Sequence, residues 1–249
     1  ISRNSDQTFY FDARLDWKRS FGDHNLTAMA MYMMREYRSD VLPNRNQGYS
    51  GRVTYDYASK YLVEFNFGYN GSERLAAGHR FEFFPAVSAG WVASSEKFWE
   101  PISKYINHFK IRGSYGLVGS DAFASGAPHF LYQNNIGIGS AHNFWTGLPT
   151  SEISKKGPGF YVLAVQDAGW EHVKKFDIGF DMMLFNQLNI TFDYFHDKRE
   201  RILMSRASWP SMLGYWGSKP WSNIGEVENQ GFELSLNWTK QFGKDLTLD

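Results

Sequence analysis

The chain has 249 residues, 26 Lys+Arg against 26 Asp+Glu, and no Cys. Zero net charge lacks the basic excess of nucleic-acid binders, and the missing Cys removes disulfide frameworks, thiolate nucleophiles and Cys-bound zinc. The longest apolar run, Ala28–Met34, is far short of the roughly 18 residues of a membrane helix; strands that cross a membrane alternate, and so average out as polar.

In chain order, alternation predicts strands over 7–19, 25–38, 49–58, 61–70, 81–93, 108–118, 172–185, 188–198 and 226–241, with a tenth beginning at 245. Successive strand side chains point to opposite faces. Phe11 and Leu15 therefore share a greasy face while Asp12 and Asp16 share a charged one. Ile190 and Phe192 oppose Asp193 in the same way, and Leu234 and Leu236 oppose Glu233. Most of these strands are longer than the 5–6 residues usual in globular sheets. They match the 9–11 residues needed to cross a bilayer at a tilt.

The connections alternate in length. Short polar turns are expected at 22–24, 58–60, 186–187 and 243–244, and longer loops at 39–48, 71–80, 119–171 and 199–225. Segment 94–107 falls on the short-turn side, and its spacing suggests one or two helical turns. Short turns at one end and long loops at the other describe an outer-membrane barrel. The fold class is therefore all-β, an antiparallel transmembrane β-barrel. Two features weigh against a soluble sandwich: the strand length, and aromatics near strand ends. Trp17, Trp91 and Trp238 lie toward the short turns, and Phe9 and Tyr194 toward the long loops. Two such girdles explain an aromatic content of 18%. In lipid the sheet must close, so a chain that stops in mid-strand is expected to be a piece of a larger barrel.

Catalytic chemistry finds little support. Asp12 with Asp16, and Asp177 with Asp181, could be acid/base pairs, but they read better as charges facing a water-filled lumen. The seven His residues show no HxH or HExxH spacing, so no metal site is expected. There is no GxSxG, and Gly116-Leu-Val-Gly119 lacks a Walker Lys. No catalytic residue and no cofactor is assigned. The expected contact residues are the loop aromatics Trp145, Trp209, Tyr215, Trp216 and Trp221, whose flat faces suit sugar rings, peptide side chains or a partner surface.

Several ordered motifs resemble the barrel of SusC/RagA-type TonB-dependent transporters. They are the run Tyr61–Arg74, Gly78-His-Arg-Phe81, Phe84-Pro-Ala-Val-Ser-Ala-Gly-Trp91, Lys110-Ile-Arg-Gly-Ser-Tyr-Gly-Leu-Val-Gly119, Asp177-Ile-Gly-Phe-Asp181, Asp193-Tyr-Phe195, Arg201-Ile-Leu203 and Asn223-Ile-Gly-Glu-Val-Glu-Asn-Gln-Gly-Phe-Glu233. The resemblance implies an importer of the bacterial outer membrane, built on a 22-stranded barrel around a plug. It also implies a SusD-like surface lipoprotein as lid, TonB as energy source, and an oligosaccharide or peptide as cargo. Residues 1–249 would be about ten strands of one outer-membrane barrel domain, without the plug or the TonB box. The alternatives are an outer-membrane barrel enzyme of the protease or lipase type, and a soluble β-sandwich binding module.

Overall fold

The computed structural model describes residues 6–38, 43–123, 126–138, 143–146, 153–206, 219–242 and 246–248, with 208, 210 and 212 singly. Nine long strands form one antiparallel sheet: β1 (Gln7–Phe21), β2 (His24–Arg38), β3 (Asn44–Tyr57), β4 (Tyr61–Ser72), β5 (Phe81–Val92), β6 (Ile106–Ser120), β11 (Glu171–Leu184), β12 (Leu188–Ser205) and β13 (Trp221–Trp238). They run in the order β1-β2-β3-β4-β5-β6-β11-β12-β13. Between β6 and β11 lie four short strands, β7 (Asn135–Gly137), β8 (Asn143–Thr146), β9 (Ile153–Lys156) and β10 (Gly159–Val162). They pair as two small sheets, β7 with β10 and β8 with β9. Every neighbour in the main sheet is next or near in sequence, the up-and-down pattern that short turns and loops allow.

β3 starts at Asn44, inside the segment read as loop 39–48, and three further details differ from the alternation reading. First, β12 and β13 run on to Ser205 and back from Trp221, so much of the segment read as loop 199–225 is strand. Second, the end of the chain is not a tenth strand of the main sheet. β13 stops at Trp238, and β14 (Lys240–Phe242) folds onto β15 (Leu246–Leu248) as a separate hairpin. Third, the turn read at 186–187 begins one residue earlier, with Phe185 and Asn186 both at positive φ, 54° and 55°. Ala58 and Ser59, at 50° and 57°, turn the chain in the same left-handed way. Such turns match the right-handed twist of the flanking strands, and here they form without glycine. Segment 94–107 holds two 3-10 turns, Ala93–Ser95 and Lys97–Trp99. Trp99 stacks on Phe109 with centroids 5.3 Å apart.

Register sorts the side chains. Directly opposite residues share a face. One row crosses all nine strands, aliphatic or aromatic everywhere but at His24: Phe21, His24, Tyr57, Tyr61, Trp91, Ile111, Phe180, Phe192 and Leu234. One position along, on the other face, runs Ser20, Asn25, Asp56, Leu62, Gly90, Arg112, Gly179, Asp193 and Glu233. The greasy face is bare in this structure: Leu15 is 71% exposed and Phe232 76%. The buried core instead lies at the long-loop end. There Leu75, Phe84, Leu131, Val165, Ala168, Trp170 and Leu203 pack together.

Candidate functional site

The apolar face has a definite height. On β3 it runs from Tyr57 to Tyr49 before Arg45; on β2 it runs from His24 to Met34 before Glu36 and Arg38. On β11 it runs from Leu184 to Phe176 before Lys174, and on β12 from Leu188 to Tyr194 before Lys198. At about 3.4 Å per residue and a tilt of about 40°, these stretches stand roughly 16–26 Å tall, comparable with the ~25 Å apolar band of outer-membrane barrels. The residues above the band pair with one another: Arg45 with Glu36 at 2.8 Å, Lys174 with Glu200 at 2.6 Å, His196 with Glu228 at 2.5 Å. At its lower edge, Phe21, His24, Tyr55, Tyr57, Tyr61 and Trp91 ring the short-turn end, with His24 Nδ1 and the Tyr55 hydroxyl 2.8 Å apart. The charge that enters this face near the turns, Arg19, lies 5.8 Å above the Phe21 ring, its stem on apolar surface and its head free to reach water.

The opposite face centres on Arg112. Its Nη2 donates to Asp193 at 2.7 Å and its Nε to Asp181 at 3.3 Å, while Nη1 lies 3.6 Å from Asp177. Three carboxylates on two strands converge on one guanidinium. Gly179 makes this possible, because a Cβ there would collide with the Asp193 carboxylate and the Phe192 carbonyl. Glu233 stands directly across from Asp193, so the like charges depend on Arg112 for compensation. Asp12 and Asp16 share this face on β1, opposite Met33 and Met29, and Arg14 pairs with Asp16 at 2.7 Å. On this side the sheet forms an open hollow of about 710 Å³, lined from β1 across to β11 by Lys18, Thr54, Glu64, Ser88, Arg112 and Asp177 among others.

The long-loop end is tied together by polar contacts around the core. Asp121 accepts from Ser72 Oγ at 2.6 Å and Asn46 Nδ2 at 3.0 Å, and its carbonyl accepts from Arg74 at 2.7 Å. Burial lowers the Arg74 pKa, against the Asp121 charge that raises it; the guanidinium also lies 4.4 Å over the Phe123 ring. Burial, then the Arg74 charge, lowers the His129 pKa below the ordinary histidine value, and its Nε2 has no partner among the described residues.

Of the residues picked from sequence, Asp193 meets Arg112 and Glu233 stands across from Asp193, while Asp12 and Asp16 lie on the far strand of the same face. Trp221 is not a loop residue: it opens β13 opposite Ser205 and packs half-buried against the core cluster. Trp145 falls in β8. Trp209, Tyr215 and Trp216 lie outside the described residues. Sequence reasoning paired Asp177 with Asp181 but missed Arg112, whose signal was its parity with them. Trp170, within the segment read as loop 119–171, is 5% exposed and donates to the Arg80 carbonyl at 3.0 Å. Among the described residues no group of His, Cys, Asp and Glu could hold a metal ion. No helix among them is long and apolar enough to cross a membrane, which says nothing of strands.

A sheet with one apolar and one charged face, short turns at one end and packed loops at the other, defines a membrane β-barrel wall. The family model for TonB dependent receptor-like β-barrels matches residues 2–249, and the chain belongs to that family. TonB-dependent receptor P3 of Formosa agariphila is 31% identical over 79% of this chain and 18% of its own length. TonB-dependent receptor SusC of Bacteroides thetaiotaomicron is 25% identical over 87% of this chain and 21% of its own. The chain thus spans about a fifth of the curated relatives it matches. A solved structure of the RagAB peptide importer superposes with a TM-score of 0.76 at 19% identity, over 96% of this chain and 28% of that one. The siderophore receptor PirA of Pseudomonas aeruginosa gives 0.58 at 12% identity, over 96% of this chain and 40% of that one. The resemblance to SusC/RagA-type transporters is borne out, and the relatives are receptors and transporters by name rather than enzymes.

Proposed function

We propose that residues 1–249 form part of one outer-membrane barrel domain of a TonB-dependent importer. In this reading the apolar face meets lipid and the Arg112 face lines the lumen. The long loops reach outside the cell, where cargo is first caught. The observation that carries it is a row across nine strands that is aliphatic or aromatic at every position but His24. In water such a face would be covered by a second layer; bare, it fits hydrocarbon. The cargo class is a glycan or peptide, and the partners are a SusD-like surface lipoprotein and TonB. Support comes from the family and from the likeness to SusC and to the RagAB peptide importer. Trp145, Trp209, Tyr215 and Trp216 remain the proposed contacts with cargo or lid.

The test is uptake by cells carrying the full-length protein. Import of labelled oligosaccharide or peptide should require TonB and an energised membrane, and Ala at Trp145, Trp209, Tyr215 or Trp216 should weaken it while the barrel still assembles. Turnover of cargo by the purified protein without TonB would overturn the reading.

A further inference from the structure

We propose that Asn223 is a positioning residue: it pins the strap Val165–Glu171, the root of the longest external loop, to the barrel wall. That side of the mouth is thereby preset before anything binds. The inference builds on the reading of the long loops as the capture surface.

The Asn223 amide is used at both ends. Its Oδ1 accepts from Gly169 N at 3.0 Å. Its Nδ2 donates to the Gly169 carbonyl at 3.1 Å and to the Arg201 carbonyl at 2.7 Å. One side chain thus gives the strap the donor-acceptor pair that a neighbouring strand would offer, and fastens the same point to β12. Aspartate could accept but not donate, and glutamine would put the amide one methylene further out.

The rest of the knot fits around this amide. A Cβ on Gly169 would meet only the Arg201 guanidinium, the end of a half-exposed side chain that can swing aside. Arg201 holds a left-handed backbone, φ 59°, at the irregularity where β12 and β13 change register. A non-glycine residue keeps such a conformation only where its surroundings demand it. The next strap residues are fixed independently. Trp170 donates to the Arg80 carbonyl, and Glu171, 3% exposed, accepts from Leu203 N at 3.2 Å. At the other end of the strap, Val165 N donates to the Leu131 carbonyl at 2.7 Å. Two sequence motifs set apart above, Arg201-Ile-Leu203 and Asn223-Ile-Gly, therefore meet at one point and clamp a third segment.

Two measurements on the full-length protein in lipid nanodiscs test this, and neither uses cargo or TonB, so their failure is separate from failure of the import reading. In hydrogen exchange of the unmodified protein, the amides of Val165, Gly169 and Leu203 should exchange as slowly as those of β11; exchange at the rate of an open chain overturns the proposal. With spin labels at Asp167 and Val227, the distance distribution should be narrow. Asn223→Ala should broaden it at least twofold with the barrel melting temperature unchanged, and Asn223→Asp should fall between. Gly169→Ala, whose Cβ displaces only the end of the Arg201 side chain, should leave it narrow. A width unmoved by Asn223→Ala overturns the proposal, as does broadening only in step with lost barrel stability. If Asn223→Ala does not assemble, the exchange of the unmodified protein and the width for Asn223→Asp decide.

Discussion

Arg112 shows how one residue can hold a face together. Remove its charge and Asp177, Asp181 and Asp193 confront one another, with Glu233 across the strand from Asp193. Arg112→Met should cost about 1–3 kcal/mol. That is less than the roughly 3–5 kcal/mol for breaking a fully buried pair, because Arg112 stays 33% exposed. Thermal unfolding of the detergent-solubilised barrel measures it, and adding Asp181→Asn should recover part of the loss. His129 makes a second prediction. Its pKa is lowered in the folded state, so the unfolded loop binds more protons once the pH drops below the ordinary histidine value of about 6.5. The stability of the 126–133 segment should therefore be full at neutral pH and fall on acidification through that value. Amide exchange, corrected for its intrinsic pH dependence, should report this, and His129→Gln should abolish the pH dependence. Alternation puts Arg112 on the charged face, but neither its role nor that of His129 was legible, because both depend on contacts across many residues: Asp193 for Arg112, Arg74 for His129.

At the scale of the element, strands and faces were legible because period-2 alternation is a local signal. Phe11, Leu15, Ile190, Phe192, Leu234 and Leu236 do share the apolar face, and Asp12, Asp16, Asp193 and Glu233 the polar one. Strand ends were less legible. Residues 199–205 and 221–225 looked like loop because charged and small residues interrupt the pattern where the strands rise above the apolar band. The face assignment gives a sharp test. Phe192→Arg, within the apolar stretch Leu188–Tyr194 of β12, should cost about 2–4 kcal/mol in lipid if it lies near the midplane. Thr191→Arg, one residue away and opposite Asp181, should cost far less, since the new cation meets a carboxylate. Equal losses in folding titrations into lipid vesicles would undo the assignment of lipid to one face and water to the other.

For the molecule as a whole, the alternation of turn and loop sets a direction. Turns at 22–24, 58–60 and 185–187 share one end, and the packed loops share the other. Protease added to whole cells should cut within 121–170 and spare 185–187; cleavage confined to the short turns would invert the topology. The family was legible from ordered motifs, whereas the function of the loop aromatics was not. Trp170 and Trp221 are part of the packing at the loop base. An exposed contact and a core tryptophan look alike in a sequence, since what separates them is whether residues such as Leu75 and Leu203 come back to cover the ring.

The register change between β12 and β13 has a consequence for chain length. From Arg199 to Ile202 one residue of β12 is extra, and between Ile202 and Leu203 the partner strand answers with one extra residue, Ile224. The two irregularities cancel, so beyond them Met204 again faces Ser222. Residue count at this place is therefore held in balance. Deleting Arg201 alone leaves the extra residue of β13 unanswered and turns every later side chain of β12 to the wrong face. Deleting Arg201 and Ile224 together restores a regular ladder. In a set of single-residue deletions, each of these two should abolish assembly while the pair should assemble, with the strap Val165–Glu171 released from a wall that no longer bends to hold it.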